Sequence, residues 1–101
     1  MSDRKSPSGP ASSVKGIIAI AATPVAVTTV ATATGSFVPT SGPNVQVGNV
    51  ISLSPQANLT AAITVAWQRV YDEGLVVIGF LNAAANSTQA AVTFDANAEI
   101  L

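Results

Sequence analysis

Thirty of the 101 residues are Val, Ile or Thr, and no window of eleven residues places its apolar positions at a 3.6-residue period between capping residues. β-Branched side chains lose rotamer freedom in a helix and pack well on a pleated surface. The Ala-rich stretch 83–85 is too short to nucleate a helix. Turn residues recur at strand spacing: Gly35-Ser36, the cluster from Pro39 to Pro43, Ser54-Pro55, Asp72-Glu73-Gly74 and the run from Asn82 to Ser87. This pattern predicts an all-β domain, a small antiparallel β-sandwich or barrel of about six short strands.

The strands can be read one by one. Val25, Val27, Thr29, Ala31 and Ala33 alternate with Ala26, Thr28, Val30, Thr32 and Thr34. That alternation predicts one continuous strand over 25–34, open at its edge to pairing with a partner. Ile17, Ile18 and Ile20 form a short lead-in strand or an apolar anchor before Pro24. Val45, Val47, Val50, Ile51 and Leu53 read as a strand bent at Gly48. Residues 62–71 put Ile63, Val65, Trp67, Arg69 and Tyr71 on one face, which favours core packing for Trp67 and Tyr71. Asp72-Glu73-Gly74 is a hairpin connection in which Gly74 supplies a positive φ. The nearly unbroken apolar run 75–81 suits a central strand covered on both faces. Gln89 to Phe94 is the last strand, with Glu99 to Leu101 as an extension.

The core material is light. Hydrophobic residues make up 49% of the chain, but 18 are Ala, 13 are Val and only five are aromatic. A chain of this mass buries about 64% of its unfolded surface. With no Cys and no His, disulfides, thiolate or imidazole metal sites and Ser-His or Cys-His nucleophile pairs are excluded. A thin core without staples points to self-association or docking on a partner. Enzymatic activity, a cofactor and a small-molecule substrate are not expected.

Charge is sparse, at 9% of residues with a net charge of −1. Residues 1–16, rich in Ser, Pro and Gly, read as an extended N-terminal arm ahead of a β-domain over 17–101. Arg4, Lys5 and Lys15 lie on that arm, and the remaining 85 residues carry Arg69 against Asp72, Glu73, Asp95 and Glu99. Three cations on an arm are too few for a nucleic-acid surface. The threonines of 23–34 dilute the apolar stretch below a membrane span. A cleaved leader fits poorly, because ten positions separate Lys5 from Lys15 and Pro24 interrupts the run.

Arg69 lies two residues from both Trp67 and Tyr71. That spacing fits an interface cation between aromatics or an intradomain pair with Asp72 or Glu73. Asp72 and Glu73 themselves read as solvated acids of a hairpin tip. Asn58-Leu59-Thr60 and Asn86-Ser87-Thr88 match the glycosylation sequon at a frequency chance accounts for.

Four segments follow one another in order: Val47-Gly48-Asn49-Val50, then Ser54-Pro55, then Gln68-Arg69-Val70, then Val77-Ile78-Gly79-Phe80-Leu81-Asn82. From Phe37 to Phe94 the chain resembles the small β-sandwich head decoration or minor structural proteins of tailed bacteriophages. Asn49 stands where that group has an acid, and Gln68 where it has a small residue. The resemblance implies a virion structural protein on the capsid exterior, binding the major capsid protein and self-associating, with a homotrimer as the natural guess. It implies no catalytic residue. The residues expected to touch a partner are Arg4, Lys5, Lys15, Ile17, Ile18, Ile20 and Arg69. The alternative is a secreted or surface-displayed adhesion module with a cleaved leader.

Overall fold

Turn residues cut the chain into eight strands in a computed structural model that describes residues 12–100, the side chains of the two end residues excepted. They are β1 (Ser12–Ile20), β2 (Thr23–Val25), β3 (Val30–Pro39), β4 (Val50–Pro55), β5 (Ile63–Asp72), β6 (Leu75–Asn82), β7 (Ser87–Gln89) and β8 (Val92–Ile100). Six of them form one sheet in the order β4-β8-β1-β3-β6-β5, and β2 pairs with β7 as a separate ribbon. Every neighbouring pair is antiparallel. The protein is all-β, with a nearly closed sheet.

The pairing lengths divide this sheet into two leaves. β1 pairs with β8 from Ser12↔Ile100 to Ile20↔Val92, and β3 with β6 from Val30↔Leu81 to Ser36↔Leu75. Between β1 and β3 only Gly16↔Pro39, Ile17↔Val38 and Ile18↔Phe37 are paired. The β4-β8-β1 leaf therefore turns into the β3-β6-β5 leaf at a narrow corner. Two inward-facing glycines build it. A Cβ on Gly16 would run into the Val38 carbonyl oxygen and stand 2.8 Å from Phe37 Cζ, and one on Gly35 would stand 2.5 Å from Ile18 Cγ2. Absent side chains let the leaves close on each other.

At the opposite corner β4 and β5 face each other as sheet edges. A side-chain bond bridges them, Gln68 Nε2 donating to the Ile51 carbonyl at 3.2 Å. Strand directions alternate around the ring, so this seam is antiparallel as well. Between the leaves lie Ile18, Phe94 and Ala98 from one side and Phe37, Ile78 and Phe80 from the other, all buried. The rings of Phe80 and Phe94 stack with centroids 6.4 Å apart, joining β6 to β8.

Both ends are plugged. At one, Val45 is fully buried and its carbonyl accepts from the Gly74 N–H at 2.9 Å. At the other, the β2-β7 ribbon is tied down by buried Asn82, whose Nδ2 donates to the Ala85 carbonyl and to Ser87 Oγ, with the Val25 carbonyl at 3.3 Å sharing one of its two hydrogens.

Several expectations change. The 25–34 stretch is broken where Thr28 takes φ 62° and donates its N–H to the Asn82 carbonyl at 3.0 Å. Its second half lies in β3, which pairs with β6 from Val30 to Ser36 and with β1 only from Phe37 to Pro39. The 45–53 strand starts only at Val50, because Val45 folds inward as the plug and Gly48 turns the chain at φ 97°. The domain begins before residue 17: Ser12 to Gly16 pair with Ile100 to Ala96, and Val14 is buried. Residues 1–11 of the expected arm lie outside the described residues.

Candidate functional site

β5 would carry Trp67 into the core if its alternation ran unbroken. It does not. Val65 pairs with Phe80 and Trp67 with Gly79, so Ala66 is an extra residue opposite no partner. Such a bulge shifts the pleat by one position. Ile63 is buried and Val65 half-buried before it, while Gln68 and Val70 turn inward after it. Trp67, Arg69 and Tyr71 all stand on the outer surface. The shared face expected from the sequence is thus split at Ala66.

The indole has a seat there. A Cβ placed on Gly79 would lie 2.6 Å from Trp67 Cε2, 2.7 Å from its Nε1 and 2.9 Å from Val30 Cγ1. Trp67 therefore lies across Gly79 against Val30, shielding the β6 backbone, yet 38% of its surface stays exposed.

Register fixes what surrounds it. Reading across β3, β6 and β5, the outer face has four rows: Val30, Leu81, Thr64; Thr32, Gly79, Trp67; Thr34, Val77, Arg69; and Ser36, Leu75, Asp72. Leu75, Val77 and Leu81 are half-buried, and Val30 and Tyr71 are exposed. The apolar run 75–81 is covered by the core on one side and only partly by its neighbours on the other. Arg69 sits in the third row with Trp67 before it on β5, and a second bulge at exposed Tyr71, between Val70↔Val76 and Asp72↔Leu75, brings Asp72 to the outer face of the fourth row. Asp72 is directed elsewhere, its Oδ1 accepting from the Glu73 N–H at 2.8 Å.

The outer face of β4-β8-β1 is of a different kind. Lys15, Ile17 and Ala19 from β1, Asp95, Asn97 and Glu99 from β8, and Val50, Ser52 and Ser54 from β4 are all exposed on it. Asp95 Oδ1 accepts from Gln56 Nε2 at 2.8 Å.

The residues expected to touch a partner do not converge. Lys15 and Ile17 are exposed on one leaf and Arg69 on the other. Ile18 and Ile20 are core residues, 0% and 2% exposed, because the β1 pleat turns its even positions inward. They are therefore not available to a partner. Arg4 and Lys5 lie outside the described residues. What sequence reading missed is the row structure around Trp67. Its signal was the odd-numbered half of the 75–81 run, which is apolar although the inner face is supplied by Val76, Ile78 and Phe80. Among the described residues no three His, Cys, Asp or Glu side chains converge on a metal site. No family model, no curated protein and no solved structure matches the chain.

Proposed function

We propose that this chain is a virion structural protein, a small β-barrel that decorates or cements a phage capsid by binding the major capsid protein and copies of itself. The observation that carries the reading is the outer face of β3-β6-β5, where Trp67, Arg69 and Tyr71 stand among apolar and threonine side chains. Aromatics and arginine are the residues that concentrate binding energy in the middle of an interface. Trp67 is already held against Gly79, so it loses little further freedom on docking. The thin Ala- and Val-rich core makes additional burial against a neighbour worth having for stability.

The test is fractionation of the source. Particles are purified by density, their proteins quantified by mass spectrometry, and the N-terminus of the mature chain read. The reading expects the chain in the particle fraction at a fixed ratio to the shell protein, with an N-terminus at Met1 or Ser2. Recovery only outside particles, trimmed near residue 33, overturns it in favour of the secreted adhesion module.

A further inference from the structure

About the centre of the four rows, two pairs of positions carry the same or a like residue and a third pairs a cation with an aromatic, while Val30 and Ser36, Gly79 and Val77, and Thr64 and Asp72 differ. On β6, Leu81 and Leu75 hold the two ends; on β3, Thr32 and Thr34 hold the two middle positions; on β5, Trp67 and Arg69 do. We propose that the occupant of this face is a second copy of the chain, packed face to face about a two-fold axis that lies in the interface, across the strands, between the second and third rows. This rests on the reading of the face as a contact surface.

That axis reverses the order of rows and keeps each strand over its own copy. The second row then meets the partner's third, and the first meets the fourth. Leu81 stacks on Leu75 of the partner subunit, Thr32 on the partner's Thr34, and Trp67 on the partner's Arg69, each contact made twice. The inner face of the indole is occupied by Gly79, so its outer face is the one presented. A guanidinium over the face of a tryptophan is attracted by the ring quadrupole. The arrangement gives the exposed Arg69 a reciprocal partner, an aromatic one rather than the tip acids. Stacked sheets of this kind lie ~10 Å apart, the depth of two interdigitated side chains.

Closure supports the same occupant. The outer face of β4-β8-β1 belongs to the opposite leaf, so packing one face on the other would place copies in an open row. Packing the β3-β6-β5 face on itself stops at two copies and leaves Lys15, Ile17 and Asp95 free for another partner. Rows about 7 Å apart on strands about 5 Å apart give a footprint smaller than the ~800 Å² per partner of a standard interface. The dimer is therefore expected to be concentration-dependent, with a dissociation constant in the micromolar range or weaker.

The test uses the full chain in sedimentation equilibrium from low micromolar to about 1 mM, a range that brackets such affinities. Trp67 is the only tryptophan, so its fluorescence reports on the face directly. The expected result is a monomer–dimer equilibrium with a tryptophan blue shift that follows the dimer fraction. Arg69→Glu places a carboxylate over the indole at an exposed position and should weaken dimerisation about tenfold or more. Arg69→Lys should retain part of it. Circular dichroism confirms that both variants are folded. A monomer throughout the range, a trimer mass, or a dimer indifferent to Arg69→Glu with unchanged fluorescence overturns the proposal. A monomer that still co-purifies with particles sinks the second copy alone; a dimer missing from particles sinks the virion reading alone.

Discussion

The two leaves of the barrel bury the same kind of inner surface and present different outer ones. β4-β8-β1 turns Lys15, Asp95, Asn97 and Glu99 to solvent, whereas β3-β6-β5 turns Val30, Trp67, Val77 and Tyr71 outward with Arg69 among them. The first mixes these polar groups with exposed Ile17 and Val50. The second is a sheet with its core on one side and half a core on the other. Charge does not separate the leaves: Lys15, Asp95 and Glu99 lie on the first, Arg69 and Asp72 on the second, with Glu73 at the hairpin tip beside them. What sets the second leaf apart is its exposed aromatic pair, Trp67 and Tyr71, on which the proposed contact rests.

That contrast can be broken at its root by removing what the leaves share. Phe80→Ala deletes a fully buried ring stacked on Phe94. It should cost about 3–5 kcal/mol. Against a total of roughly 5 kcal/mol for so small a domain, urea titration should find little folded protein. Next comes the corner between the leaves. Gly16→Ala pushes a methyl against the Val38 carbonyl and the Phe37 ring. It should cost about 2–3 kcal/mol by overpacking, read as a lowered urea midpoint with an unchanged slope.

The outer faces come next, one substitution on each. Trp67→Ala uncovers Gly79 on the contact leaf and should cost about 1–2 kcal/mol of monomer stability, together with the loss of self-association in sedimentation. Asp95→Ala on the β4-β8-β1 leaf removes an exposed contact to Gln56. It should shift stability by less than about 0.5 kcal/mol and leave association unchanged. Equal effects of these two substitutions in both measurements would erase the distinction between the leaves.

Much of the fold was legible because local chemistry decides it. Gly74 takes φ 70° in a turn that its sequence neighbours announce, and the 75–81 run is an interior strand between β3 and β5 as its composition implies, although only one of its faces is covered by the core. Val45 and Ala66 were not legible, for the same reason. Whether Val45 continues a strand or plugs a barrel end depends on Gly74, twenty-nine positions away, receiving its carbonyl. Whether Ala66 is paired or bulged depends on β6, and that one residue decides the side on which Trp67 stands. Thr28 ran against propensity: a β-branched residue at positive φ is the last place to look for a break. The importance of Trp67 and Arg69 was readable from their types; the rows that make a surface of them required the register.

The pairing of β1 with β8 bears on how the domain answers to force. Ser12 and Ile100 are directly opposed in an antiparallel ladder. Tension applied through these two residues pulls the strands apart sideways and loads their hydrogen bonds one rung at a time, as a zip opens. The same ladder pulled lengthwise would load all its rungs together. A load entering through the outer face of β3-β6-β5 and leaving through that of β4-β8-β1 bypasses the zip and is borne by the Phe80–Phe94 contact and the Gly16–Gly35 corner. Drawn by Ser12 and Ile100, the sheet opens from that end of the ladder inward.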